Sequence, residues 1–139
     1  MSANVSYALT TTVRRPFADT LAATRVSLSE QGFGILSEID IRAILKAKLD
    51  VEIPAQVILG ACRPPLAYAA LAAEPSVGLL LPCNIVVRYL DDETTVVQAL
   101  DPKVMMSLTH NDALSLVADE AGRRLAAALG TLTPALAGS

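Results

Sequence analysis

A chain of 139 residues that is 53% hydrophobic and 18% charged has enough apolar material for one core and is not a disordered polymer. Its net charge of −3 comes with no cluster of Lys and Arg, which argues against nucleic-acid binding, where cations must displace counterions from phosphates. The most apolar stretch, Val77 to Val87, contains Gly78, Pro82 and Asn84 and is shorter than the ~20 residues of a membrane span, so no membrane partner is expected.

Tyr7 to Val13, rich in Thr, predicts a first strand. Pro16 then suits the first turn of a helix whose apolar face is Phe17, Leu21 and Leu28, widened by Ala22 and Val26, and Gly32 ends it. Ile35 to Ile39 predicts a second strand. Asp40 is placed to cap a helix through Lys48, with Ile41, Ile44 and Leu45 turned inward. Gln56 to Ala61 is almost wholly apolar and reads as an inner strand. Pro64-Pro65 opens a helix to about Ala73. Val77 to Leu81 and Ile85 to Leu90 read as extended segments, with a kink or bulge at Pro82-Cys83-Asn84. Asp91-Asp92-Glu93 is a turn, so Thr94 to Leu100 returns as a hairpin. Asp101-Pro102 starts a short helix through Leu108. Asn111 or Asp112 caps a final helix, 111–129, with the stripe Leu114, Val117, Ala121 and Leu125. Residues 131–139 read as a frayed tail.

The order β-α-β-α-β-α-β-β-α-α predicts an α/β fold of the α+β type. It is a two-layer sandwich: a mixed or mostly antiparallel sheet of about five strands, with helices on one face. One domain over 1–130 is expected. The N-terminus carries no secretory pattern, and two cysteines without an export signal suit reduced thiols in the cytoplasm.

Three segments carry a resemblance: Ser37-Glu38-Ile39-Asp40, Leu59-Gly60-Ala61-Cys62-Arg63-Pro64, and Leu79 to Val87 with Pro82-Cys83-Asn84 at its centre. Asp101-Pro102 with Met105 and Met106 extends it. On these, residues 7–108 resemble the bacterial and archaeal domain-of-unknown-function family numbered 302. That family usually has Cys-Asn-Pro where this chain has Cys62-Arg63-Pro64. The resemblance implies a compact two-layer α/β fold, makes dimers unsurprising and implies no activity. The last helix lies beyond the resembling segment.

Chemistry in this sequence centres on the thiols. Cys62 precedes a helix start and stands beside Arg63, a setting that lowers a thiol pKa, but a free Cys is equally at home as a small buried hydrophobe. Cys83 is its potential partner, as a resolving thiol or in a soft-metal pair. Asn84 either holds an irregular turn or offers its amide to a ligand. Glu38 and Asp40 fall on one face of a strand, which permits a carboxylate pair, and Lys48 lies two helical turns beyond. His110 reads as a solvated loop residue. Two Cys and one His do not complete a zinc set, and no nucleotide motif is present, so neither metal nor cofactor is expected. The leading expectation is a homodimer that binds a small ligand or a partner. The alternative is a thiol-dependent redox enzyme or sensor using Cys62 and Cys83.

Overall fold

The computed structural model describes residues 5–133. In chain order the elements are β1 (Ala8–Val13), α1 (Phe17–Glu30), β2 (Gly34–Asp40), α2 (Ile41–Leu49), β3 (Gln56–Cys62), α3 (Pro64–Ala73), β4 (Cys83–Asp91), β5 (Thr94–Leu100), α4 (Lys103–Thr109) and α5 (Ser115–Gly130). Short 3-10 segments, Pro75–Leu80 and Asp112–Leu114, precede β4 and α5. The strands form one sheet in the order β1-β5-β4-β3-β2, and every neighbouring pair is antiparallel. No helix among the described residues is long and apolar enough to cross a membrane.

Successive strand residues face opposite sides of a sheet. On one side Val57, Leu59 and Ala61 of β3, Ile85 and Val87 of β4, and Val97 and Ala99 of β5 are buried. They form one cluster with Leu28 of α1 and Leu125, Ala128 and Leu129 of α5. The expected stripe Leu114, Val117, Ala121 and Leu125 is buried throughout. It links this core to a second one, where α3 and α4 bring Ala70 and Met105 against Val117 and Ala118.

The buried face of α1 differs from the expected one. Ala22 and Val26 are exposed, and Thr20, Thr24 and Ser27 are buried beside Leu28. Their hydroxyls return to backbone carbonyls: Thr20 to Arg15 at 3.3 Å, Thr24 to Thr20 at 2.7 Å, Ser27 to Thr24 at 3.1 Å. Small, self-satisfied side chains let the helix lie close to the sheet without stranding a polar atom.

Three further expectations are corrected. Pro75–Leu80 is a 3-10 turn rather than a strand; its Val77 is buried in the second core, and β4 begins only at Cys83. Ile44 of α2 is exposed, and none of that helix's residues is fully buried. The chain after Gly130 is anchored as far as it is described: Leu132 packs in the main core, and Thr133 and Thr11 hydroxyls hydrogen-bond at 2.9 Å. Residues 134–139 of the expected tail lie outside the described residues.

Leu132→Ala is therefore expected to cost about 2–5 kcal/mol, as for other buried leucines. Urea unfolding monitored by circular dichroism checks this; a change within error would show that the segment after α5 contributes nothing.

Candidate functional site

Among the described residues the core clusters take their strand side chains from the first side of the sheet only. By strand alternation the second side presents Gln56, Ile58 and Gly60 from β3, Asn84, Val86 and Arg88 from β4, and Val96, Gln98 and Leu100 from β5. A groove of about 330 Å³ lies here, lined by Tyr7, Asn84, Val86, Arg88, Gln98 and Leu100 among others. Val86 and Leu100 give it apolar walls. Arg88 gives it a half-buried cation that makes no ion pair among the described residues. The Gln98 amide donates to the Thr10 hydroxyl at 3.2 Å, which fixes its orientation.

The segments that carry the resemblance converge on one corner of this face. Ser37, Gly60 and Asn84 are cross-strand partners in a single row over β2, β3 and β4. Gly60 has to be glycine there. A Cβ would overlap Ser37 Oγ and come within 2.9 Å of Pro82 Cγ. Pro82, whose preceding peptide bond is cis, packs over Gly60 immediately before β4 begins. Asn84, exposed at the end of this row, borders the groove.

The two cysteines are near neighbours with different surroundings, and both are free thiols. Cys83 is paired in register with Ala61, on the helix-covered side, and packs against the main core. Burial, and secondarily the charge of Cys62, pushes its thiol from the ordinary 9.0 up to about 11. It stays protonated at neutral pH, which disfavours both nucleophilic attack and metal ligation. Cys62 ends β3, one residue past Ala61, and is half-buried. Both residues border a small cavity of about 30 Å³ walled by Phe33, Leu66, Met105 and Val117, room for about one water molecule.

Arg63 does not reach over Cys62 as a charge partner. Its Nε donates to the Gln31 carbonyl at 3.3 Å, at the C-terminal end of α1, lying over Gly32. Gly32 has φ +85°, and a Cβ there would come 2.9 Å from that nitrogen. Arg124 donates to the same carbonyl at 3.5 Å.

The remaining sequence candidates are dispersed. Glu38 pairs with Arg25 of α1. Asp40 caps α2, its Oδ1 accepting from Ala43 N at 2.9 Å. The two carboxylates share a face, as expected, but each is engaged elsewhere. Lys48 is exposed and unpaired among the described residues, while Lys46 takes Asp50 at 2.8 Å and Glu52 at 3.2 Å. His110 is exposed and ends α4 in a left-handed conformation, φ 52°. Among the described residues no three His, Cys, Asp or Glu side chains gather as a metal site.

Sequence reasoning passed over Tyr7, Arg88 and Gln98. A signal for Arg88 was present, since it is the one cation in an otherwise apolar alternation from Ile85 to Leu90. Asn111 was read only as a cap. It does cap, accepting from Ala113 N at 2.9 Å, and its Nδ2 also donates to Ala73 O at 3.0 Å and Glu74 Oε1 at 2.8 Å, tying α3 to α5.

A family model described as a domain of unknown function, DUF302, matches residues 9–132. The match takes in the last helix as well as residues 9–108 of the segment on which the sequence resemblance rests. The crystal structure of an uncharacterised conserved protein of that description from Bacillus stearothermophilus is similar with a TM-score of 0.82 and 28% identity, covering 91% of this chain and 98% of that one. No curated protein matches.

Two outcomes follow from the corner and the thiols. Gly60→Ala is expected to lose about 1–3 kcal/mol in urea unfolding, because Ser37 can rotate away but the Pro82 ring cannot. Adding Ser37→Ala should recover only part; full recovery would show that Pro82 is not the obstacle. For Cys83, a folded pKa above the unfolded one stabilises the fold below pH 9.0, and the advantage disappears as pH rises toward about 11. The stability difference between wild type and Cys83→Ala should therefore shrink by roughly 3 kcal/mol over that range. A pH-independent difference would contradict a buried neutral thiol.

Proposed function

This chain belongs to the DUF302 family, and from its geometry we propose that it is a binding module whose uncovered sheet face holds a small amphipathic ligand bearing an anionic group. The observation that carries this is the unpaired, half-buried Arg88 in a groove with apolar walls. A guanidinium in partly desolvated surroundings favours a carboxylate or similar anion, and its planar fork can meet two oxygens at once. Val86 and Leu100 offer surface for the ligand's apolar part, and Asn84 and Gln98 offer amide hydrogen bonds at its edges. The amides of Asn84 and Gln98 both donate and accept hydrogen bonds, which suits holding a ligand. The two unbridged cysteines are in keeping with a reducing compartment such as the cytoplasm.

Octanoate and octanol, alike in length and different in charge, test the proposal in a ¹H–¹⁵N titration. Octanoate should shift the amides of Tyr7, Asn84, Val86, Arg88 and Gln98, and octanol should bind more weakly. Arg88→Ala should weaken octanoate binding by about tenfold, equivalent to about 1.4 kcal/mol, and leave octanol unaffected. Equal binding of the two compounds, or shifts confined to other faces, would remove the proposal.

A further inference from the structure

Three sulfur-bearing side chains from separate elements border one cavity. Cys62 ends β3, Cys83 begins β4 and Met105 lies in α4, and all three line the space of about 30 Å³. The cysteines are neighbours by register, since Cys83 is paired with Ala61, the residue before Cys62. They are also close enough for the charge of one to act on the other. Met105 is only 6% exposed and belongs to the second core, so its thioether is held on the inner side of the molecule.

The walls narrow the chemistry. Phe33, Leu66 and Val117 are apolar, and among the described residues no carboxylate, imidazole or amide side chain lines the cavity. A hard cation, which takes oxygen ligands, finds no side chain for it there. Zinc takes four protein ligands in a structural site, or three with a water in a catalytic one, and two thiols supply neither set. Thiolate and thioether sulfur together are the donors that select Cu(I). A ligating thiol must lose its proton. Burial of Cys83 therefore counts against ions that bind sulfur weakly and leaves a soft cation, whose bond to sulfur is strong enough to displace that proton. Cys62, Arg63 and Leu66 are half-buried around the start of α3, which leaves an ion a route from solvent.

We propose that this cavity binds one Cu(I) ion per chain, held by the sulfurs of Cys62 and Cys83 with Met105 as a weaker third ligand. Each thiol releases its proton to solvent as its sulfur bonds to the ion, and no electron is transferred. The resulting unit carries one negative charge beside Arg63, the one charged side chain among the described lining residues. No residue of the groove lines this cavity, so the site is independent of the ligand reading.

Anaerobic competition for Cu(I) with bicinchoninate, which forms a coloured complex, is the test. Reduced wild type should withdraw one ion per chain, and Cys62→Ser or Cys83→Ser should leave it with the dye. Met105→Leu keeps the side-chain volume and loses the sulfur. It should bind about tenfold more weakly, the scale of loss when a supporting group around a metal is removed. Cys62 is half-buried, so Cys62→Ser should keep the far-ultraviolet circular dichroism of wild type and carries the test if Cys83→Ser does not fold. Zn(II) offered in the same way should stay with a zinc-binding dye. Failure of wild type to withdraw Cu(I) would overturn the proposal, as would wild-type affinity in any of the three variants or equal retention of Zn(II). One ion shared by two chains would also overturn it, because the ion would then bridge two Cys62 thiols outside the cavity.

Discussion

Strand alternation in a sheet covered on one side only is the constraint on which this structure depends. Five antiparallel strands divide their side chains strictly between two surfaces. One surface, from Val57 through Ala99, is closed by α1 and α5 and supplies the main core. The other has to be compatible with water and still carries Ile58, Val86 and Leu100. The main core and the groove thereby fall on opposite faces of the same strands. Val87 is fully buried, whereas its neighbours Val86 and Arg88 border the groove.

Close approach is the second requirement, and it is met by small residues on both sides. Thr20, Thr24 and Ser27 let α1 settle on the sheet while each hydroxyl is satisfied by a backbone carbonyl of its own segment. On the uncovered side Gly60 leaves room for Pro82 and Ser37. An unsatisfied hydroxyl or an extra methyl at either place carries a cost in the same range as a cavity of modest size.

Most of the fold was legible in the sequence, and the failures have physical causes. The period-2 and period-3.6 patterns located all five strands and the helices from Phe17 to Leu129, because each element places its apolar residues on one side. The face of α1 was misjudged because Thr and Ser count as polar in any hydropathy pattern, yet here they serve as small residues. Val77 to Leu81 is an apolar run too short to distinguish a strand from a tight turn, and burial in the second core decided it. Part of the candidate groove was legible as well, since Asn84 stands out by motif. Arg88, Gln98 and Tyr7 did not, because the groove exists only once β1, β5 and β4 lie side by side. The hydrogen bond of Arg63 is hidden in the sequence for the same reason. Adjacency in sequence put it beside Cys62, and the fold gave it the carbonyl of Gln31.

The same alternation accounts for the two cysteines. Cys62 is one residue beyond Ala61, the partner of Cys83, and one residue is enough to change faces. Both nevertheless border the same small cavity, as two free thiols. The thiols remain close enough for the charge of Cys62 to oppose ionisation of Cys83, and burial opposes it more strongly. Cys83 therefore acts as a core side chain that happens to bear sulfur, while Cys62, paired with Gly34 at the end of β3, borders the same small cavity half-buried. Two motifs well apart in the sequence thus meet at one small cavity, and burial sets the ionisation of one of its thiols.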